Sequence, residues 1–164
     1  MTSRKKLIVL IVVLAIFWII ASALLKFITS PQGIASIELA APSTIDISHV
    51  QIGGTVITAE TVVSEANHNS GLSGRDGLNA GTGMLFVFEK PALYGFWMKD
   101  MHFPIDIVWL DENYKITTIK ESVKPSSYPT VFYPLRPSKY TLEVSDGTAK
   151  MNNWKVGDIA KILP

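Results

Sequence analysis

The chain has 164 residues, of which 48% are hydrophobic, and its formal net charge is +1. Four basic residues fall within the first 26 positions, so the remainder carries 11 basic and 14 acidic residues, a net charge of about −3. This balance argues against nucleic-acid binding, which needs clustered Lys and Arg. Because cysteine is absent, disulfides, zinc–thiolate sites and thiol nucleophiles are excluded.

The N-terminal segment, residues 1–26, has the pattern of a membrane anchor. Leu7–Leu25 is a run of 19 residues without charge, preceded by Arg4, Lys5 and Lys6. At about 1.5 Å per helical residue, it nearly spans a hydrocarbon core of about 30 Å. The positive-inside rule keeps the basic end in the cytoplasm. We therefore expect a single-pass protein of the cell membrane with an extracytoplasmic C-terminal domain.

A secretory signal peptide is the alternative interpretation of the same segment. Ala21-Ser22-Ala23 supplies the small residues of a cleavage site, and cleavage after Ala23 would secrete the domain. We favour the uncleaved anchor, because the apolar run is longer than a usual signal peptide requires and continues through Leu24 and Leu25. Both interpretations export the domain.

A linker and one domain follow the N-terminal segment. Residues 27–44 are poor in large side chains and contain Pro31, Gly33 and Pro42, which is typical of a linker. Residues 45–164 have the length of one ordinary domain with a single core. We therefore predict one β-rich domain over 45–164.

Short β-branched and apolar runs predict the strands of this domain. In chain order they are Ile45–Val50, Thr55–Val63, Met84–Phe88, Tyr94–Lys99, Ile105–Asp111, Lys115–Val123, Tyr140–Val144 and Ile159–Leu163. Ser64–Gly71 predicts a short helix, and Gly147–Asn153 a turn or a second one. Many short strands with little helix predict a mainly β fold, at the margin of α+β: a compact antiparallel barrel or sandwich.

Two loops have a composition that suggests function. Gly71–Leu78 holds three glycines within seven positions, which implies unusual backbone angles or close approach of the backbone. Pro125–Pro137 is a long proline-rich loop with Tyr128, Phe132 and Tyr133, and loops of this length in a compact domain are often functional. Exposed aromatic side chains there would mark a ligand or partner surface.

The densest block of the chain, Gly83–Leu110, predicts a hairpin in which Lys99 pairs with Asp106. Asp106 shares a strand face with apolar residues, so Lys99, Arg75 or a backbone donor should lie beside it. The favoured interpretation is a structural ion pair that fixes the hairpin.

A sharper alternative is that Asp106 acts as a base or ligand in a site. The candidate catalytic residues are then Asp106, Asp100, His102 and Lys99, because such clusters can shift pKa values into a useful range. Arg75, alone among glycines, could bind a carboxylate or phosphate bidentately, or could fix its loop to Asp76 or Asp106.

Common metal and serine-nucleophile patterns are missing. The three histidines show no ligand spacing, so we expect no metal and no other cofactor. Gly71-Leu72-Ser73-Gly74 is not a nucleophile elbow, because its second glycine comes one position too early.

Several motifs, in order, resemble the prokaryotic family catalogued as domain of unknown function 192. They are Gly71-Leu72-Ser73-Gly74-Arg75, Gly83-Met84-Leu85-Phe86-Val87-Phe88, Phe96-Trp97-Met98-Lys99-Asp100, Pro104-Ile105-Asp106-Ile107, Tyr140-Thr141-Leu142-Glu143-Val144 and Val156-Gly157-Asp158. The resemblance covers roughly Ile45–Leu163. It implies a compact β-rich domain, often exported or membrane-tethered, with no established activity.

The first functional hypothesis is a non-catalytic binding or accessory module of the cell envelope. Its ligand, a small molecule or a protein, would contact the Gly71–Asp76 loop and the Asp100–Pro104 connection. The candidate binding residues are Arg75, Gly71, Gly74, Trp97, Asp100 and His102. A small cell-envelope hydrolase or transferase that uses the catalytic candidates is the alternative, and a purely structural envelope protein is the third interpretation.

Overall fold

The computed structural model describes residues 14–23, 25–26, 46–63 and 70–163, of which 14–23 and 25–26 are helical. The predicted anchor Leu7–Leu25 and the predicted helix Ser64–Gly71 lie partly outside these residues, and the predicted linker lies entirely outside them. No helix in the described part of the chain is long and apolar enough to cross a membrane.

The C-terminal unit, Ile45–Pro164, is built on one seven-stranded sheet. Its strands are β1 (Asp46–Ile52), β2 (Thr55–Val62), β3 (Thr82–Ala92), β4 (Ile105–Leu110), β5 (Ile116–Val123), β6 (Ser138–Ser145) and β7 (Ala160–Leu163). A 3₁₀ turn at Pro125–Ser127 and a four-residue helix, α1 (Thr148–Met151), are the helical elements described in this unit after residue 70. The mainly β prediction is therefore confirmed.

The strand order across the sheet is β5-β4-β6-β3-β2-β1-β7. All neighbours are antiparallel except β2 and β3, which run parallel. The sheet curls until the starts of its two edge strands meet. There the Ile116 N–H donates to the Asp158 carbonyl at 2.8 Å and the Ala160 N–H to the Tyr114 carbonyl at 2.9 Å. The result is a half-barrel joined at one end.

Most of the predicted strands are present. β1 and β2 form the predicted hairpin around Gly53-Gly54, where Gly53 takes a φ of +60° that other residues adopt reluctantly. β3 contains the predicted run Met84–Phe88, and β4 to β7 follow the later predictions to within one or two residues at most ends.

The predicted strand Tyr94–Lys99 and its pairing with β4 are wrong. β4 lies between β5 and β6, where Asp106 is opposite Val144 rather than Lys99. Residues 93–104 instead cross the outer face of the sheet, and their one described ladder contact is the Phe96–Phe132 bridge. In the part predicted as a strand, every second side chain is apolar and packs onto that face. A loop that covers a sheet can therefore show the same alternation of apolar residues as a strand.

Each face of the sheet carries a buried hydrophobic cluster. The inner cluster comprises Val50, Ile52, Ile57, Ala59, Leu85, Val108, Leu110, Ile116, Tyr140, Leu142, Val144, Ala149, Trp154 and Ala160. The outer cluster comprises Val62, Leu72, Met84, Phe86, Phe88, Met98, Met101, Ile105, Ile107, Trp109 and Val123. All six residues of β4 are buried as a consequence. The loops that cover the outer cluster also form the walls of the site.

Candidate functional site

A cleft of about 740 Å³ opens on the outer face of the sheet, and we call it the Trp97 cleft. Three loop segments and two central strands line it. The lining residues are Val63, Ser70, Gly71, Leu72, Ser73, Phe86, Phe88, Glu89, Tyr94, Gly95, Phe96, Trp97, Met101, Val131, Tyr133 and Glu143. A cavity of this volume, lined by aromatic and apolar side chains together with polar groups, is typical of small-molecule sites.

Packing of Phe96 holds the cleft wall in place. Its ring meets Phe86 edge-on at 5.0 Å and Trp109 at 5.9 Å between centroids. Its backbone exchanges two hydrogen bonds with Phe132, at 2.8 and 2.9 Å. The loop before β4 and the proline-rich loop are thereby joined, so the cleft is preformed.

Gly95 is required where these two loops touch. A Cβ at this position would lie 2.6 Å from both Tyr133 Cε1 and Val131 Cγ1, which is shorter than the contact distance between non-bonded carbon atoms. The absence of a side chain at Gly95 therefore sets the distance between the two walls.

The rim of the cleft presents exposed aromatic side chains. Trp97 is 49% exposed and Tyr133 is 59% exposed, whereas the other described aromatic residues of the domain, apart from Tyr128, are buried or half-buried. Tyr128 packs edge-on against Trp97, with ring centroids 6.3 Å apart. Phe132 is half-buried beneath the same loop. Flat apolar surfaces with polar edges are thus available to a ligand.

Glu143 lies at the base of the cleft and was not among the candidates from the sequence. On β6 it is opposite Met84 of β3, which is itself opposite Glu60 of β2. These three residues therefore share one row across the outer face of the sheet. The Glu143 side chain is only 5% exposed, and its Oε2 accepts no hydrogen bond from any residue that the structure describes.

Burial controls the ionisation of Glu143. Removal from water raises the pKa of its carboxyl to about 8, because the charged form is poorly solvated, while the nearby positive charge of Arg75 opposes the shift. Around neutral pH the group is therefore mostly a neutral acid. A buried carboxyl with a shifted pKa in a cleft is a common feature of functional sites.

Arg75 binds Glu60 rather than Asp76 or Asp106. Its two terminal nitrogens donate to the two oxygens of Glu60, both at 2.6 Å. The hydrogen bond lowers the pKa of the Glu60 carboxyl and raises that of the Arg75 guanidinium. This bidentate pair fixes the glycine-rich loop to β2 beside Glu143.

The Gly71–Asp76 loop and the Asp100–Pro104 connection lie in contact. The Gly74 N–H donates to the Asp100 carbonyl, and the Ser73 hydroxyl donates to the Lys99 carbonyl, both at 2.8 Å. Gly71 and Gly74 both have positive φ, which explains two of the glycines. Of the predicted binding residues, Gly71 and Trp97 line the cleft.

The remaining candidates do not converge with them. Lys99, Asp100 and His102 are exposed, and His102 Nδ1 lies 3.9 Å from Asp76 Oδ1, a long contact between two exposed side chains. Asp106 is completely buried, and the donors to it among the described residues are backbone N–H groups. Within the described residues, no group of acidic or histidine side chains could hold a metal ion.

The sequence contained one clue to Glu143. In the run Tyr140–Val144, alternation places Thr141 and Glu143 on the face opposite the apolar residues, which usually means solvent. Only the loops that cover this face make Glu143 a buried acid, and such covering depends on contacts distant in the sequence.

Comparisons with known proteins concern the same part of the chain. A family model described as "Uncharacterized ACR", the domain of unknown function 192, matches residues 48–162. No curated protein matches the chain.

Two solved structures share this fold. One is a protein from Sinorhizobium meliloti described as a candidate transcription regulator, at 25% identity and a TM-score of 0.69, covering 74% of this chain and 98% of that one. The other is a protein of unknown function from Novosphingobium aromaticivorans, at 25% identity and a TM-score of 0.66, covering 74% and 89%.

Proposed function

Since the chain belongs to the domain of unknown function 192 family, whose description assigns no activity, we propose a function from its own site. The domain is a non-catalytic binding module that takes a small ligand into the Trp97 cleft. One observation carries the proposal: a preformed cleft of about 740 Å³ has exposed aromatic rings at its rim and a buried carboxyl group at its base. A cavity of this kind offers a ligand both apolar area and one directed polar contact.

The proposed cellular location is the outer side of the membrane, with residues 1–26 as a single-pass anchor. The uncharged run Leu7–Leu25 and the basic residues before it support this location. Large apolar side chains of the described helical residues are exposed, and Phe17 and Trp18 are the most exposed of them at 71% and 74%. Such a surface is suited to lipid or to another apolar partner.

The test is a thermal-shift screen of small fragments against the full chain in detergent micelles. Ligands of the cleft should raise the melting temperature of the wild type, and Trp97→Ala should weaken their binding about tenfold or more through loss of stacking area. Met151→Ala is the control, because Met151 is 74% exposed and does not line the cleft. Ligands that bind Trp97→Ala as well as they bind the wild type would place binding elsewhere.

A hydrolase or transferase of the envelope is the second candidate function. The separation of Asp106 from Lys99, Asp100 and His102 removes the support for the catalytic set expected from the sequence. Glu143 is the better proton donor, since its pKa of about 8 keeps it protonated near neutral pH. Mass spectrometry of screening ligands after incubation with the protein tests this candidate, and recovery of every ligand unchanged would count against it.

A further inference from the structure

The ligand class can be inferred from the charges around Glu143. Glu143 lines the cleft and is 5% exposed as a residue, and its Oε2 has no hydrogen-bond donor among the described residues. A buried polar group without a partner is costly, and a ligand donor placed there would remove that cost. The first requirement on the ligand is thus a hydrogen-bond donor at the base of the cleft.

Among the residues that the structure describes, Arg75 is the positive charge that acts on this carboxyl group. Arg75 is close enough to affect Glu143, but both ends of its guanidinium are bound by Glu60. The charged residues among the described lining of the cleft are Glu89 and Glu143, both acidic. The second requirement is that the donor be a cation rather than a neutral or anionic group.

The aromatic side chains at the rim favour a ligand whose cationic group is attached to an apolar or aromatic moiety. Trp97 and Tyr133 are half exposed, and the Phe96 ring lies deeper in the same wall. Aromatic faces attract cations and also stack against flat apolar groups. A simple metal ion would leave this surface unused.

We propose that the Trp97 cleft binds an organic amine, with its ammonium group at the Glu143 carboxylate and its apolar body against Trp97 and Tyr133. The inference rests on the proposed binding function and specifies its ligand class.

The number of protons released on binding is a measurable consequence of this inference. Free Glu143 is mostly protonated at pH 7, because burial raises its pKa to about 8. An ammonium ligand requires the carboxylate, so each binding event transfers one proton from Glu143 to the solvent. Arg75 favours the ionised form, Glu60 offsets Arg75, and Glu89 is the other acidic residue in the described lining of the cleft. Binding of an amine should therefore tighten as the pH rises towards about 8.

The experiment is isothermal titration calorimetry on the full chain in detergent micelles with a matched pair of probes, 2-phenylethylamine and 2-phenylethanol. An alkylamine keeps its charge at pH 7, because its pKa is about 10. Titration in two buffers that differ in ionisation heat counts the protons released. We expect the amine to bind at least tenfold more tightly than the alcohol and to release nearly one proton.

Glu143→Gln should abolish the proton release and weaken the amine about tenfold or more, while leaving the alcohol unchanged. Glu112→Gln, in the exposed turn between β4 and β5, is the control and should behave as the wild type. The proton count of the wild type does not depend on either variant, so it tests the inference even if Glu143→Gln folds poorly.

The outcomes separate the inference from the proposed function. Equal binding of the two probes without proton release would overturn the amine assignment and leave a binding module for neutral ligands. Failure of both probes to bind at concentrations up to about 10 mM would overturn the amine assignment, and a fragment screen without any ligand would overturn the binding function itself.

Discussion

At the scale of single residues, Glu143 is the most informative group of the domain. It lies between Leu142 and Val144, whose side chains belong to the inner cluster, so its own side chain must point to the outer face. Loops cover that face and shield the carboxyl group from solvent, and the nearby Arg75 is already paired with Glu60. Sequence alternation gives the direction of the side chain but not what covers it.

The shifted ionisation of Glu143 predicts how stability depends on pH. Below about pH 4.5 the carboxyl is protonated in both the folded and the unfolded state. Between this pH and about 8 the unfolded chain is ionised while folded Glu143 keeps its proton, so the free energy of unfolding falls as pH rises. The slope should be about 1.4 kcal/mol per pH unit, and the loss is complete above about pH 8.

Urea denaturation of the wild type and of Glu143→Gln at pH 5, 6, 7 and 8 measures this effect. The glutamine side chain does not ionise in this range. The unfolding free energy of the variant, relative to that of the wild type, should therefore increase by a few kcal/mol from pH 5 to pH 8. Comparison of the two proteins cancels the titration of the histidines. A difference that is constant with pH would show that Glu143 ionises normally in the folded protein.

At the scale of elements, Asp106 fastens three parts of the fold together. Its Oδ1 accepts the N–H groups of Ser122 and Gly147 at 2.8 and 3.2 Å, and its Oδ2 accepts that of Ala149 at 2.9 Å. Ser122 lies in a bulge of β5, where two residues oppose one residue of β4, so its N–H has no ladder partner. Asp106 supplies the missing acceptor there and at the start of α1.

The backbone donor beside Asp106 was among the alternatives that the sequence left open, whereas the favoured Lys99 partner was wrong. A bulge depends on the register of two strands, and the turn before α1 lies about forty positions away in the chain. The residues that flank Asp106 therefore predict neither the bulge nor the contact of Asp106 with this turn.

Asp106→Asn should destabilise the domain by about 2–4 kcal/mol. The side-chain NH₂ group of asparagine would replace one accepting oxygen, so at least one of the three backbone N–H groups would lose its acceptor. Chemical denaturation measures the change in unfolding free energy. Asp76→Asn is the control: Asp76 is fully exposed, so its substitution should stay within about 0.5 kcal/mol. If Asp106→Asn were as stable as the wild type but lost ligand binding, Asp106 would have a functional role instead.

At the scale of the whole molecule, the sequence predicted the β class and most strands, because alternation and turn residues are local signals. The strand order could not be predicted from the sequence. β2 and β3 are consecutive strands that run parallel, so the chain must cross between them, and residues 93–104 cover the sheet instead of joining it. Both features create the Trp97 cleft, so the parts of the fold hardest to predict are those that form the site.

The export proposed for this domain also belongs to the whole molecule, and cell fractionation tests it. With a C-terminal epitope tag, the wild type should sediment with membranes, resist alkaline extraction, and be digested by protease added to intact spheroplasts. Ile16→Arg with Ile19→Arg should release it, since each arginine near the middle of the apolar run costs about 2.5–3.5 kcal/mol of insertion. Ile16→Leu with Ile19→Leu keeps the run apolar and should behave as the wild type.

N-terminal sequencing then separates anchor from signal peptide. A mature chain that begins at Leu24 and leaves the membrane would mean cleavage after Ala23, with the domain still exported. An intact chain in the membrane fraction supports the anchor, because the apolar run then remains as the tether. Protection of the domain from protease in intact spheroplasts would contradict both, since the basic residues Arg4, Lys5 and Lys6 would then have failed to orient the chain.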